Sequence, residues 1–203
     1  GSLEYILPEI SQLKGVPQSQ PHYQDVYHHS LHTVKKLNEI YHLLSPEHDP
    51  EKGMNWASGY LSVRLGRFRK QFHSHFEKQL NPDRSHWSLT LFAAVYHDCG
   101  KPATRSSSEN GKIRFFNHEN FGAALIRDRA RALKLSNIEI DWVSSLIKYH
   151  MRPFYLTKEG NLPSRRAVYR FFRDCGEMGV DICLMSLADI LALTSGSLSV
   201  SCE

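Results

Sequence analysis

Two histidines of this 203-residue chain occupy positions on predicted helices that should be buried. An amphipathic helix places residues i, i+3, i+4 and i+7 on one face. His150 follows Leu146 by four residues and His29 follows Val26 by three, so both imidazoles are expected to project into the core. A single inward histidine is usually a hydrogen-bonded core residue, whereas several that converge can ligate a metal ion.

Carboxylates are predicted to be buried in the same way. Asp189 follows Met185 by four residues on an apolar stripe, and the doublet His97-Asp98 closes a helix that is otherwise nearly all apolar. Burying an unpaired carboxylate costs several kcal/mol or forces its protonation. For each carboxylate considered separately, the alternative is a role as a helix cap or as the partner of an arginine. One divalent cation would satisfy the inward side chains of all four helices, and we therefore predict a metal centre.

Most of the other histidines are predicted to be solvated. His28 adjoins His29 but points about 100° away around the helix. His22 precedes that helix, where it can line the rim of a pocket. The others considered lie on polar helix faces, in a basic helix or in a loop: His32, His42, His48, His73 and His75.

Helical periodicity dominates the chain, and strand signals are nearly absent. Asn117 is a suitable N-cap, and Gly100 a suitable C-terminal cap, for two of the predicted helices. The best strand candidate is the short segment 112–116. We predict an all-α fold, a helical bundle of about seven or more helices. The predicted helices cover residues 25–44, 58–80, 87–98, 117–135, 137–150, 165–175 and 180–194.

Composition is that of an ordinary globular protein of the cytoplasm. The net charge of +4 permits an anionic partner without requiring one. The four cysteines have no zinc-ribbon spacing and fit reduced thiols, and no apolar run is long enough to span a membrane. We expect a single domain over residues 1–203, excised from a longer protein, with a disordered tail at 195–203.

The order His29, then His97-Asp98, then Asp189 resembles the H…HD…D signature of the HD-domain metal-dependent phosphohydrolase superfamily. The resemblance is closest to the HD region that follows the catalytic head of bacterial tRNA nucleotidyltransferase and poly(A) polymerase proteins. The segments that carry it, between residues 7 and 190, are LPEISQLKGVPQSQPHYQDVYHHSLHTV, AAVYHDCGKPATR, IRFFNHENFGAA, LIKYHMRP and RRAVYRFFRDCGEMGVDICLMSLADI. The Gly-rich and DxD motifs of the head are not found, so we do not expect nucleotidyl transfer from this chain alone.

This resemblance implies a set of metal ligands. A pattern H…HD…H…H…D is typical of two-metal HD sites, in which the Asp of the doublet bridges the ions. If only one ion binds, His118 and His150 would act on substrate. Separately, the alternative for His118 is a surface residue at a helix start, and the alternative for His150 is a residue that supports the ligands without binding the ion. The implied ligands are His29, His97, Asp98, His118, His150 and Asp189.

Phosphate-binding residues are implied near these ligands. Lys101 stands three residues after Asp98 in an HDxGK arrangement, and these two residues are the predicted catalytic pair. A solvated loop lysine is the alternative for Lys101. Arg152 and Arg105 are further candidates for binding substrate, because a guanidinium binds phosphate through two parallel hydrogen bonds. Two more arginines are considered, Arg165 and Arg166.

Mixed His and carboxylate ligation suits Mn, Fe, Co, Ni or Zn better than Mg. We expect one or two such ions and hydrolysis of phosphomonoesters or phosphodiesters, with nucleotides or RNA ends as substrates. The alternative is a non-catalytic domain that supports tRNA or other RNA, which the basic helix surfaces favour. A regulatory nucleotide sensor is a third reading. The oligomeric state stays open.

Overall fold

The computed structural model describes residues 2–49, 56–157 and 162–194 of the chain. Helices account for most of these residues, which confirms the predicted all-α class. The helices are α1 (Ser2–Ile6), α2 (Pro8–Ser11), α3 (Val26–Leu43), α4 (Trp56–Leu65), α5 (Arg69–Phe76), α6 (His86–Tyr96), α7 (Lys101–Thr104), α8 (His118–Ala132), α9 (Asn137–Tyr149), α10 (Arg152–Leu156), α11 (Arg165–Cys175) and α12 (Met178–Thr194).

Helix α6 lies at the centre of the bundle. The most extensive helix contacts are those of α3 with α12 and of α8 with α9, and α6 touches α3, α9 and α12. Its buried side chains include Leu89, Ala93 and Tyr96. A helix that is apolar on all sides must be covered on all sides. The C-terminal end of α6 therefore lies inside the protein, and the doublet His97-Asp98 follows there.

Side-chain caps fix where the helices beside this doublet begin. The carboxylate of Asp25 accepts a hydrogen bond of 2.8 Å from the backbone N–H of His28 and so caps α3, whose first turn carries His29. A capping box between Ser136 and Glu139 starts α9. Caps of this kind satisfy backbone donors that a helix leaves free at its start.

The helix predicted over 58–80 is broken in the structure. A 3-10 turn at Gly66–Phe68 separates α4 from α5. The guanidinium of Arg69 bonds the carbonyl oxygens of Gly66 and Leu43, and a Cβ on Gly66 would lie 2.5 Å from it. Arg69 is therefore directed towards the end of α3, and its side chain is partly buried.

Two predicted caps have a different role in the structure. Asn117 precedes α8 with a left-handed backbone (φ 64°), and its side chain accepts a hydrogen bond from Asn120 instead of capping the helix. Gly100 has a helical φ of −80° and not the left-handed one of a C-terminal glycine cap. Glycine is required at this position for a steric reason, since a Cβ there would lie 2.1 Å from the carbonyl oxygen of His118.

The strand predicted at 112–116 is present as β4 (Ile113–Phe115), one strand of a short antiparallel ribbon. Its partner is β3 (Arg105–Ser107), which has no period-2 pattern of its own. A second ribbon joins β1 (Gln79–Asn81) to β2 (Arg84–Ser85) just before α6. Both ribbons are short connections between helices, and β4 leads directly into the turn that carries His118.

Within the described ranges, no helix is both long enough and apolar enough to cross a membrane. The predicted disordered tail at 195–203 lies outside the described residues. The thiols of Cys99, Cys175 and Cys183 are free. Cys183, expected to be a small core residue, is partly buried and packs against the core.

Candidate metal centre

Side chains from α3, α6 and α12 meet at the inner end of α6. The Nε2 atom of His29 is 2.7 Å from Oδ1 of Asp189 and 3.9 Å from Oδ2 of Asp98. The Nε2 atom of His97 is 3.1 Å from the same Asp98 oxygen and 4.0 Å from Oδ1 of Asp189. These four residues, taken from distant parts of the chain, are all buried.

A second group of ligand atoms faces the other oxygen of Asp98. The Nε2 atom of His118 is 3.4 Å from Oδ1 of Asp98 and 3.4 Å from Nε2 of His150. Ligand atoms of Asp98, His118 and His150 lie within 4.8 Å of one another, as do those of His29, His97 and Asp98. The carboxyl of Asp98 therefore belongs to both groups.

The backbone orients three of the imidazoles in the same way. The Nδ1 atoms of His97, His118 and His150 lie 2.7–2.8 Å from the carbonyl oxygens of Ala94, Phe115 and Ile147 respectively. A carbonyl oxygen only accepts, so each Nδ1 carries the proton. In the neutral ring, Nε2 then keeps its lone pair, and an outer hydrogen bond of this kind is typical of metal-bound histidine.

Burial and neighbouring charges shift the pKa values of the groups at the centre. Burial alone would raise the pKa of Asp98, but the charges of His97 and Lys101 hold it well below its usual range. Burial lowers the pKa of His97, but Asp98 and Asp189 outweigh it and raise that pKa to about 9. At His150, burial and then the charge of His97 lower the pKa to about 3, so this ring is neutral.

Two buried atoms at the centre are incompletely paired. Nε2 of His97 has no hydrogen-bond partner in the described part of the chain, and it lies 3.1 Å from Oδ2 of Asp98, which also contacts the ammonium of Lys101 at 2.7 Å. A native protein rarely leaves such atoms unsatisfied without an ion or water to meet them. Together with the mixed His and Asp donor set, these atoms fit a divalent transition metal.

A cavity of about 640 Å³ opens beside this centre. The ammonium of Lys101 projects into it, 2.7 Å from Oδ2 of Asp98 and 2.6 Å from Oε1 of Gln18. His22 also lines the cavity, as expected for the pocket rim, and its ring meets that of His29 at 4.8 Å. The aromatic side chains of the wall are Phe115, Phe116, Phe154 and Tyr155.

The arginines predicted to bind phosphate do not reach this cavity. The guanidinium of Arg152 bonds Asp174 on α11 at 3.0 Å and stacks over Phe171, because α10 turns it away from the centre. Arg105 is exposed on β3, outside the cavity lining. Arg165 and Arg166 are exposed at the start of α11. Gln18 takes a place in the wall that the sequence did not suggest.

His75, which was predicted to be solvated, lies against a buried carboxylate. His75 is only partly exposed, and its Nε2 lies 2.7 Å from Oδ2 of the fully buried Asp181. Asp181 precedes Met185 by four residues, so the stripe rule that identifies Asp189 also predicts Asp181 to be inward. His28 is exposed, as predicted, and pairs with Asp25.

Comparison with known proteins assigns the chain to a family. A model of the HD domain family matches residues 26–193, and the chain therefore belongs to that family. HD domains bind divalent metals, and the His and Asp groups described above could hold them. The chain's predicted likeness to the HD region of tRNA nucleotidyltransferases is also confirmed by its curated relatives.

Two such relatives are nucleotidyltransferases. The chain is 27% identical over 194 residues to the CC-adding tRNA nucleotidyltransferase of Thermus thermophilus, an alignment that covers 95% of this chain and 33% of that protein. It is 23% identical over 152 residues to the A-adding tRNA nucleotidyltransferase of Deinococcus radiodurans, covering 74% of this chain and 25% of that protein. The chain thus spans a quarter to a third of the length of these relatives.

Proposed function

We propose that the chain is a metal-dependent phosphohydrolase that cleaves phosphomonoesters or phosphodiesters of nucleotides or RNA ends. The observation that carries this proposal is the carboxyl of Asp98, whose two oxygens face separate groups of imidazoles. A carboxylate placed in this way is suited to bridging two ions, and paired ions are typical of phosphoester hydrolysis.

The ligands divide between two positions. His29, His97, Asp189 and Oδ2 of Asp98 would hold one ion. Oδ1 of Asp98 with His118 and His150 would hold the other, with solvent completing its coordination. The donor set favours Mn, Fe, Co, Ni or Zn over Mg, because imidazole nitrogen is a poor partner for Mg.

The chain's own residues would bind and orient the substrate. A divalent ion at this centre polarises a phosphoryl oxygen and lowers the pKa of bound water. Lys101 would bind a non-bridging phosphate oxygen, since its ammonium lies in the cavity beside Asp98. The aromatic wall would accept a base, because every nucleobase presents a face on which such rings can stack.

The test is phosphate release from a panel of nucleotides and 3′- or 5′-phosphorylated RNA oligonucleotides, with Mn, Co, Ni, Mg and Zn each supplied. Asp98→Ala should lower the rate by more than about 100-fold, since loss of an outer-shell partner alone costs about 10–100-fold. Asp128→Ala is the matched control, because that carboxylate is 82% exposed on α8. Background rates for wild type with every metal would contradict the proposal.

A second candidate function is binding of tRNA or other RNA without catalysis. The exposed face of α11 favours it, because this face carries Arg165, Arg166, Arg170 and Tyr169. Arginines bind the phosphate backbone and release its counterions, so the affinity for RNA falls as the salt concentration rises. Salt-dependent tRNA binding that Arg166→Ala weakens, combined with no phosphate release, would favour this function over hydrolysis.

A further inference from the structure

A second cluster of ligand-type side chains lies outside the metal centre and shares no residue with it. It consists of His75 from α5, His86 from the start of α6 and Asp181 from α12. One ring nitrogen of each histidine and one oxygen of Asp181 lie within 4.8 Å of one another. The three residues come from three helices that approach one another at this point.

Hydrogen bonds and ring contacts hold the three side chains in place. Nε2 of His75 lies 2.7 Å from Oδ2 of Asp181, and the hydroxyl of Thr90 donates to Oδ1 at 2.8 Å. The rings of His75 and His86 meet edge to face, with centroids 5.0 Å apart. The bond from Thr90 orients the carboxylate of Asp181 so that its other oxygen faces His75.

Burial makes this cluster unusual. Asp181 is fully buried, and His86 is 2% exposed. Nδ1 of His86 is buried and has no hydrogen-bond partner in the described part of the chain. A buried carboxylate is stabilised by a cation beside it, and an orphaned imidazole nitrogen requires a partner. A metal ion would meet both needs. Burial also lowers the pKa of His86, which leaves the ring neutral and able to donate a lone pair.

We propose that His75, His86 and Asp181 bind a structural divalent transition metal ion, with Zn²⁺ the best match. Two imidazole nitrogens and one carboxylate oxygen form a donor set that Zn²⁺ accepts, and solvent would supply the fourth ligand. The side chain of His75 is 12% exposed, which opens a route for the ion and that water. The ion would tie α5 to α6 and α12, and it does not depend on the function proposed above.

Small adjustments of the rings would complete the site. Zn–N distances of about 2.0–2.1 Å place tetrahedral ligand atoms about 3.3 Å apart. His75 and Asp181 are closer than this, at 2.7 Å, and would separate slightly as the ion enters. The bond between Asp181 and Thr90 can persist meanwhile, because it uses the carboxylate oxygen that does not face His75.

The test is Co²⁺ titration followed by visible absorption, with Zn²⁺ displacement, in the full chain carrying His97→Ala and Asp98→Ala. That background removes two ligands of the first centre, and the loss caused by His75→Ala or Asp181→Asn then identifies the binding that belongs to this cluster. We expect about one ion per chain with the intense bands of four-coordinate Co²⁺. His75→Ala or Asp181→Asn should each weaken binding by more than about 100-fold, beyond the usual effect of an outer-shell change.

His73→Ala is the matched control, because His73 is exposed on the same short helix. It should bind as the background protein does. Circular dichroism checks that each variant is folded, and Asp181→Asn preserves the side-chain volume if His75→Ala is unstable. Absence of a four-coordinate Co²⁺ spectrum in the folded background protein, or equal binding by His75→Ala and His73→Ala, would overturn the proposal. The cluster would then be an ion pair of His75 with Asp181.

Discussion

At the scale of the residue, Asp98 differs from its neighbours because imidazoles approach both of its oxygens while Lys101 approaches one. The charges of His97 and Lys101 keep its carboxyl ionised despite complete burial. An ionised, buried carboxylate that imidazoles approach at both oxygens is well suited to bind a metal ion. Its loss would affect both groups of ligands at once.

Lys101 gives the residue-scale prediction. Its ammonium lies in the cavity, where a substrate phosphate can replace Gln18 as its partner. Lys101→Ala should therefore raise KM by about tenfold or more, the worth of one charged hydrogen bond, with a smaller effect on kcat. Steady-state kinetics on the best substrate of the panel measure both constants.

Lys148→Ala is the control for Lys101→Ala, since this lysine is exposed on α9 and outside the cavity lining. Unchanged KM in Lys101→Ala would contradict a phosphate-binding role.

The spacing of residues predicted which side chains point inward, and it could not predict positions that depend on tertiary structure. His29, His150 and Asp189 follow from helical periodicity. Arg152 does not reach the cavity because α10, a helix that periodicity did not reveal, turns its guanidinium towards Asp174. No local pattern reports that kind of reorientation.

At the scale of the element, the approach of α8 to the doublet depends on Gly100. A Cβ there would lie 2.1 Å from the carbonyl oxygen of His118 and 2.7 Å from the backbone nitrogen of Gly122. Gly100→Ala should therefore push α8 away and lower the free energy of unfolding by about 1–3 kcal/mol, the usual cost of overpacking. Urea unfolding measures the change.

Gly59→Ala provides the contrast, because nothing lies within 4 Å of its Cβ position in α4. It should be neutral or stabilising by about 0.5–1 kcal/mol, since alanine favours helix over glycine. Equal stability of Gly100→Ala and wild type would show that α8 does not need this close approach.

The start of α9 depends on a buried ion pair. Glu139 is fully buried and bonds Arg84 of β2 as well as Ser136. The hydrogen bond from Arg84 leads the causes that lower the pKa of Glu139 to about 2, from an ordinary value of 4.5. The pair therefore stabilises the fold above about pH 4.5, and this stability is lost as pH falls towards 2.

Arg84→Ala should lower the free energy of unfolding by about 2 kcal/mol at neutral pH, as for other bonds to charged groups. The difference from wild type should shrink as the pH falls through that window. Arg127→Ala, which breaks an exposed pair with Asp141, should cost less than about 1 kcal/mol. If the difference in free energy of unfolding between Arg84→Ala and wild type stays the same between pH 5 and about 2, the pair does not have this role.

Element bounds could be predicted only where the signals were local. The helix expected over 165–175 is α11 (Arg165–Cys175), which Ser164 caps. The break between α4 and α5 was not predictable, because it depends on Arg69 reaching Leu43 in another helix. Ribbon strand β3 was missed for the same reason, since its pairing with β4 is tertiary and its three residues are exposed.

At the scale of the whole molecule, residues 26–193 form the matched HD domain, and the bundle brings six ligand-type side chains to one end of α6. The order of motifs in the sequence was sufficient to predict this family. The motifs could not predict how the ligand-type side chains divide between two positions, because that requires knowing which oxygen of Asp98 faces which histidine. That division makes the ion count the central quantity.

The most direct test is therefore metal content by elemental analysis, in protein purified without chelator and reloaded with Mn or Zn. The count is made in a His75→Ala background, so that only the Asp98 centre contributes. We predict about two ions per chain, about one in His118→Ala and fewer than about one in Asp98→Ala, since that carboxylate serves both positions. Two results would contradict a centre of two ions that share Asp98. One is about one ion in both the background protein and His118→Ala, and the other is an ion count that Asp98→Ala leaves unchanged.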